Sequence, residues 1–298
     1  MPFFLGLDGG GTKTRCIIGD EKSERGRGSS SSCKLQKVGE ACARDSLSAA
    51  IHEACVQAGI SPSQISQTCA GVTGAGRPEI ARVMQQLLAS VVGGEVEIGG
   101  DVEIAFEDAF GQGPGVLVIA GTGAIAYGRN SHGEIARAGG WGCLVSDEGS
   151  GSWIGLEAVR AVLRAKDHGE NLPLLDDLAA GLGANDFDDF IVSLNATPGP
   201  DFSILFPLVL SAADRGDDIT SKILDRGGRE LARMAETVAN RLFADDSCAV
   251  AIHGGVFTSS DHVKSSFERE LKVRYPNASY VNRMVDPARG ALQCARKI

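Results

Sequence analysis

Phe4 to Thr14 reads FLGLDGGGTKT, an apolar run that ends in an aspartate and then a turn of glycine, threonine and lysine. Glycines at such a turn leave backbone N–H groups uncovered, so they can point at a phosphate. Asp8, at the end of the first strand, could hold a cation directly or through water. Two familiar phosphate motifs do not fit. A P-loop needs Gly-Lys-Ser/Thr, and here Lys13 comes after Thr12. A dinucleotide-binding turn needs a third glycine at a later offset and a helix behind it. The turn leads instead into TRCIIGD, Thr14 to Asp20, with Cys16, Ile17 and Ile18 apolar and no helical period. That pattern predicts a second strand, so the glycines join two antiparallel strands. An ordinary tight hairpin with an exposed aspartate would read the same way.

The pattern recurs. GVLVIAGTGAIAYG, Gly115 to Gly128, is again an apolar strand, a Gly-Thr-Gly turn and a second apolar strand. The spacing between the two is about one domain. Two such hairpins, each opening a comparable α/β unit, predict a duplicated fold whose halves face each other across a cleft.

The elements that must carry these turns can be read in outline. GRGSSSSCK reads as a loop. RDSLSAAIHEACVQAGI places Leu47, Ile51, Ala54 and Ala58 on one helical face, with Gly59 as a stop. QTCAGVTGA predicts a strand and turn, and RPEIARVMQQLLASVV a helix with Pro78 in its first turn. EVEIGGD is a strand ending at Asp101, VEIAFEDAF a short helix, and GQGPG, Gly111 to Gly115, a linker that sets the domain boundary. Beyond it, DFDDFIVSLN, DFSILFPLVLSAADRG and DDITSKILDRGGRELARMAETVANRLF carry helical periodicity. SCAVAIHGGV predicts a buried strand running into a Gly-Gly turn. DHVKSSFERELKVRY predicts a helix, ASYVNRM a strand, and DPARGALQCARKI a closing helix.

Composition narrows the class. The chain has 298 residues, 43% of them hydrophobic, enough for one large domain or two ordinary ones. No apolar run is long enough for a transmembrane helix. The N-terminus starts directly with a strand and shows no signal peptide. The eight cysteines are scattered with no C-x-x-C, as expected of reduced thiols in the cytoplasm. A formal charge of −9 disfavours nucleic acid and anionic membranes as partners. It leaves room for ATP, held by local amide nests and a metal ion.

The order of motifs resembles one family. D-G-G-G-T near the N-terminus, an aspartate after a strand near residue 100, G-T-G, G-G-W-G, D-E-G-S and a late G-G are similar to the BadF/BadG/BcrA/BcrD ATPase family and, within it, to the N-acetylglucosamine kinases. The resemblance implies two duplicated actin-like ATPase domains of ribonuclease H-like α/β fold facing a nucleotide cleft, residues 1–113 and 114–298. It implies that the closing helix, 286–298, packs back on the first domain, and that the protein is a homodimer. The implied activity is ATP- and Mg²⁺-dependent phosphorylation of a hexosamine, N-acetylglucosamine to its 6-phosphate foremost, with glucosamine or another sugar as the alternative. Asp8 would lie near Mg²⁺, and Gly10, Gly11, Thr12 and Lys13 would grip the β- and γ-phosphates. Thr122 and Gly123 would form the second phosphate turn. Gly254 and Gly255 would let the backbone pack against adenosine, where a Cβ would clash. Asp101 matches the catalytic aspartate, and Gly140, Trp141 and Asp147 match positions that line the sugar.

The chemistry suits these residue types. Phosphoryl transfer depends on positioning and charge neutralisation, and the acceptor hydroxyl needs a carboxylate to orient it and take its proton. Asp101 is placed for that, and it would also serve as the N-cap of VEIAFEDAF. Asp147, in SDEGSGSW, would equally start a helix. Trp141, between glycines, would stack on a sugar or pack in the core. Two features depart from the family. The asparagine that usually contacts the sugar is absent from SSSSCKLQKVGE, where Cys33 or Lys34 stands near its place. Ile125 comes after the second turn where some members carry a polar residue. Two rivals share the fold. An ATPase activator would need a cluster-binding cysteine, and none lies between Cys69 and Cys143. A non-catalytic sugar sensor would be signalled by loss of Asp8 or Asp101, and both are present.

Overall fold

The computed structural model describes residues 2–170, 172–243, 247–281 and 283–298. The chain divides into two compact units, Met1–Gly113 with Arg283–Ile298, and Pro114–Asn282.

In the first unit, β1 (Phe3–Gly9) and β2 (Lys13–Gly19) form the antiparallel hairpin that the glycine turn predicts, with Gly9 opposite Thr14. β3 (Glu24–Ser31) extends it antiparallel. α1 (Leu35–Ala58) then leads to β4 (Ile65–Val72), parallel to β1. α2 (Pro78–Ala89), β5 (Glu95–Gly99) and α3 (Asp101–Phe110) complete the unit's first stretch of chain, and the sheet order is β3-β2-β1-β4-β5. The two-residue period of β1 assigns its faces. Leu5 and Leu7 are fully buried with Leu47 and Ile51 of α1 and Leu87 of α2. Gly6 and Asp8 face the opposite side.

GRGSSSSCK is not the loop that its composition suggests: residues 26–31 of it form most of β3. Its small residues serve a close approach, since a Cβ at Gly28 would stand 1.9 Å from the Ala50 carbonyl oxygen of α1. The free edge of the strand is covered by α1 as well. The N–H groups of Arg27 and Ser29 donate to Gln57 Oε1 and Glu53 Oε2, at 3.0 and 2.8 Å. This satisfies backbone groups that would otherwise invite another strand. α1 also begins at Leu35 rather than Arg44, with a break in helical geometry at Gly39, and stops at Gly59 in the left-handed region.

The second unit repeats the topology. β6 (Gly115–Ala120) and β7 (Ala124–Arg129) form the second hairpin and β8 (Ile135–Gly139) adds to it antiparallel. The helices α4 (Gly151–Asp167), α5 (Pro173–Gly181), α6 (Phe187–Leu194), α7 (Phe206–Asp214) and α8 (Asp218–Phe243) come next. β9 (Cys248–His253) pairs parallel to β6, and α9 (Gly255–Ser259), α10 (Asp261–Arg274) and β10 (Ala278–Tyr280) close the unit. ASYVNRM contributes only those three strand residues, and its Asn282 lies outside the described residues. The order β10-β9-β6-β7-β8 is the first sheet's order with the numbering shifted. The protein is therefore an α/β fold built twice from one five-stranded motif. No helix among the described residues is long and apolar enough to cross a membrane.

α11 (Pro287–Ala295) belongs to the first unit and lies between β1 and α3. The approach is tight enough that a Cβ at Gly290 would stand 1.9 Å from the Ile104 carbonyl oxygen. Asp108 on α3 anchors this segment. Its side chain is wholly inaccessible and accepts hydrogen bonds from Arg289 Nε at 2.6 Å, Arg283 Nη1 at 3.1 Å and the Asp286 N–H at 2.9 Å. Burial alone would raise its carboxyl, but these donors outweigh burial and hold it below the usual carboxylate range.

The stabilisation from a lowered carboxylate is full above the unfolded-chain value near 4 and is lost as pH falls through the lower folded value. Asp108→Asn should cost about 2–4 kcal/mol of unfolding free energy at neutral pH, because two guanidinium groups lose their anionic partner and one of its two acceptor oxygens becomes a donor. Urea titrations should show that deficit shrinking below about pH 4. A deficit that is absent at pH 7, or that grows in acid, would contradict this role.

Candidate phosphate and carboxylate site

The turn between β1 and β2 is closed by Gly10 N–H donating to the Lys13 carbonyl at 3.0 Å. Among the described residues, the N–H groups of Gly11 and Thr12 make no hydrogen bond, and Thr12 and Lys13 are exposed. A Cβ at Gly11 would meet only Lys34 Cδ, at 3.9 Å. The turn thus presents open donors at a place with room for an anion.

The Asp8 carboxyl lies behind it, within the field of Asp101 and, more weakly, of Asp286. Asp8 is half-buried near the end of β1. Its carboxyl is pushed up to about 7, first by burial, then by the charges of Asp101 and Asp286, while Arg15 pulls part of the way back. Arg15 is its cross-strand partner on β2. Asp101 is the first residue of α3, and Gly100 holds the N-cap position with no side-chain bond. Capping therefore does not explain Asp101. Its Oδ2 instead accepts a 2.7 Å hydrogen bond from Thr73 Oγ1. The N–H of Thr73 donates to the Gly9 carbonyl at 3.1 Å, so one threonine ties Asp101 to the strand that carries Asp8. Thr73 and Asp286 are not among the residues that the motifs single out. The only sequence signal for Thr73 is its place in the VTGA turn directly after β4.

Among the described residues, no three His, Cys, Asp or Glu side chains are arranged to hold a metal ion by themselves. A single half-buried carboxylate beside open N–H donors fits a hydrated Mg²⁺ carried on phosphates, since Mg²⁺ keeps several waters and takes few protein ligands.

The second turn is built alike. Gly121 N–H donates to the Gly123 carbonyl at 2.9 Å. The N–H groups of Gly151 and Ser152, at the start of α4, donate to the carbonyls of Gly121 and Thr122, at 2.8 and 3.3 Å. With its carbonyls engaged by the helix, exposed Thr122 is held by the backbone alone. Asp147 lies against this turn: a Cβ at Gly123 would stand 2.6 Å from its Oδ2. Asp147 is 5% exposed, adopts φ 68, and accepts from the Gly142 N–H at 3.3 Å. Burial pushes its carboxyl up, against the lowering effect of the Gly142 and Gly140 N–H groups. Ser150, not Asp147, starts α4, with Ser150 Oγ accepting from Trp153 N–H at 3.1 Å.

The remaining predicted positions separate clearly. Trp141 is 67% exposed, with the Arg137 guanidinium 4.0 Å from its ring centroid, so it is not a core residue. The core tryptophan is Trp153. Gly140 is exposed with φ 71, and a Cβ there would stand 2.8 Å from Ile125 Cδ1. Ile125 thus supports the glycine loop, which accounts for an apolar residue after the turn. Gly254 has φ 108, and a Cβ there would stand 2.2 Å from the Ala120 carbonyl oxygen. The clash that demands glycine at 254 is with β6 of the protein itself. Gly255 is exposed and faces open space. Of the two residues near the missing asparagine, Cys33 is fully buried in the core and Lys34 lies along Gly11.

A raised carboxyl destabilises the fold once it must ionise. For Asp8 the penalty is absent below the unfolded value near 4 and complete above about 7, so stability falls as pH rises through that window. In metal-free buffer, Asp8→Asn should raise the unfolding free energy at pH 8 by roughly 1–3 kcal/mol, and the gain should vanish near pH 4. Thermal melts at the two pH values check this. Equal or lower stability of the variant at pH 8 would show that burial and the neighbouring charges do not raise the Asp8 carboxyl.

Residues 5–295 match the profile of the BadF/BadG/BcrA/BcrD ATPase family. The chain is 30% identical over 310 residues to the N-acetylmuramic acid/N-acetylglucosamine kinase of Clostridium acetobutylicum, covering 99% of each. It is 28% identical over 305 residues to the N-acetyl-D-glucosamine kinase of Dictyostelium discoideum, covering 97% of this chain and 96% of that one. A solved structure of a candidate N-acetylglucosamine kinase from Chromobacterium violaceum superposes with a TM-score of 0.79 at 26% identity, covering 98% of both chains. With the whole repeated α/β architecture and nearly the full length matched, this chain belongs to the BadF/BadG/BcrA/BcrD ATPase family.

Proposed function

We propose that the protein is an ATP-dependent amino-sugar kinase that transfers the γ-phosphoryl group to a hydroxyl of N-acetylglucosamine, at the 6-position. The observation that carries this reading is Asp101. It is a helix N-terminal carboxylate that caps nothing, is oriented by Thr73 Oγ1 at 2.7 Å, and acts electrostatically on Asp8 behind the open glycine turn. That is the arrangement a general base for an acceptor hydroxyl needs. The N-acetylhexosamine class is supported by the Clostridium and Dictyostelium relatives.

The residues divide the work. Gly10, Gly11, Thr12 and Lys13 bind the β- and γ-phosphates, Gly11 and Thr12 through open N–H groups, Gly10 by closing the turn and Lys13 by its ammonium, and Thr122 and Gly123 offer a second such turn. Asp8 holds Mg²⁺ through water. When bound, Mg²⁺ would neutralise phosphate charge and offset the cost of ionising the buried Asp8 carboxyl. Gly254 and Gly255 border adenosine. Trp141 offers an exposed ring face for a sugar, and Gly140 and Asp147 shape the loop that carries it. Asp101 orients the acceptor hydroxyl and takes its proton as the oxygen bonds to phosphorus and the bond to the bridging oxygen of ADP breaks.

The test is ADP release with Mg-ATP across N-acetylglucosamine, glucosamine, N-acetylmannosamine and glucose. N-acetylglucosamine should give the highest kcat/KM. Asp101→Asn should lower kcat by about 10²–10⁴-fold with the fold intact. Release that ignores the sugar and persists in Asp101→Asn would overturn the assignment.

A further inference from the structure

Lys34 has no role in the phosphate and sugar contacts assigned to the other residues. It links β3 to α1, and the segment it belongs to is tied to the first glycine turn. Ser32 Oγ donates to the Gly10 carbonyl at 3.1 Å, and Lys34 N–H donates to Ser32 Oγ at 3.2 Å. Cys33 Sγ stands 3.0 Å from where a Cβ of Gly9 would lie. These contacts fix the backbone and send the Lys34 stem along Gly11, with Cδ 3.9 Å from where its Cβ would lie. On the same face, the Gln36 amide comes within 3.5 Å of a Cβ placed at Gly74, next to the threonine that orients Asp101. The stem therefore lies against the open face of the phosphate turn.

Its charge is not consumed within the fold. Among the described residues, the Lys34 ammonium forms no ion pair and no hydrogen bond, although it is only half-exposed. Nor is it the counterion of Asp8, for which Arg15 supplies the main lowering charge. A lysine held by its stem with an unpaired head, beside open N–H donors, is placed to meet an anion.

Resting on the kinase reading, we propose that Lys34 is a further catalytic residue, whose ammonium contacts the γ-phosphoryl group during transfer opposite Lys13. In the step the acceptor oxygen bonds to phosphorus, the bond to the bridging oxygen breaks, and the hydroxyl proton passes to Asp101. Lys34 keeps its proton throughout and tracks the moving charge on a flexible stem.

Lys34→Met keeps the stem and removes the charge. Three quantities are compared with wild type: kcat, the KM for N-acetylglucosamine, and the ratio of affinities for Mg-ADP and a non-hydrolysable Mg-ATP analogue. We expect kcat to fall by roughly 10–100-fold, analogue binding to weaken about ten-fold more than ADP binding, and the sugar KM to stay within about two-fold. Lys34→Arg, which restores the charge, should recover part of kcat. An unchanged kcat and an unchanged affinity ratio in a folded variant would overturn the proposal. A rise in sugar KM alone would also overturn it, by placing Lys34 on the acceptor. Wild-type protein that phosphorylates no amino sugar would sink the kinase reading, while the affinity ratio would still decide whether Lys34 meets the γ-phosphate.

Discussion

The burial of the Asp8 carboxyl beside Asp101 is the constraint on which the candidate site of the first unit depends. Burial raises this carboxyl most, and the charges of Asp101 and Asp286 add to it, although Asp286 is itself paired with Arg27 at 2.8 Å. β1 delivers Asp8, the β5–α3 junction delivers Asp101, and the segment before α11 delivers Asp286. Each is fixed by contacts that have little tolerance. α11 can lie on α3 only because position 290 has no side chain, and the Asp108 cluster locks the approach.

The duplication explains why one solution appears twice. Both units use a hairpin whose tip exposes N–H donors, inside a sheet of the same order. They secure the tip differently. In the first unit Ser32 and Thr73 hold the carbonyls at its base. In the second, the start of α4 takes the carbonyls, and Asp147, in a strained backbone conformation, fills the space beside Gly123. The tip is rigid in both cases, so its donors are pre-aimed and need no reorganisation when an anion arrives.

The glycine turns, their flanking strands and most helices are legible in the sequence from local rules, since a run such as GVLVIAGTGAIAYG has few other solutions. What escapes is non-local. GRGSSSSCK has the composition of a loop and becomes a strand only because α1 closes on its glycines and covers its edge. Asp101 and Asp147 both read as caps, yet Gly100 and Ser150 take those positions, leaving the carboxylates to Thr73 and to the loop at Gly142. The demand for glycine at 254 comes from β6, a strand far away in sequence. Asp286 lies far along the chain from Asp8, and no local pattern could join them.

The most direct test of the central claim is the identity of the phosphorus-containing product, read by ³¹P NMR during turnover of Mg-ATP with N-acetylglucosamine. Transfer to the sugar predicts one phosphomonoester resonance growing in step with ADP, coupled to the C6 protons. Growth of inorganic phosphate in its place, at a rate indifferent to the sugar, would show that Asp8 and Asp101 serve ATP hydrolysis and not transfer to a hydroxyl.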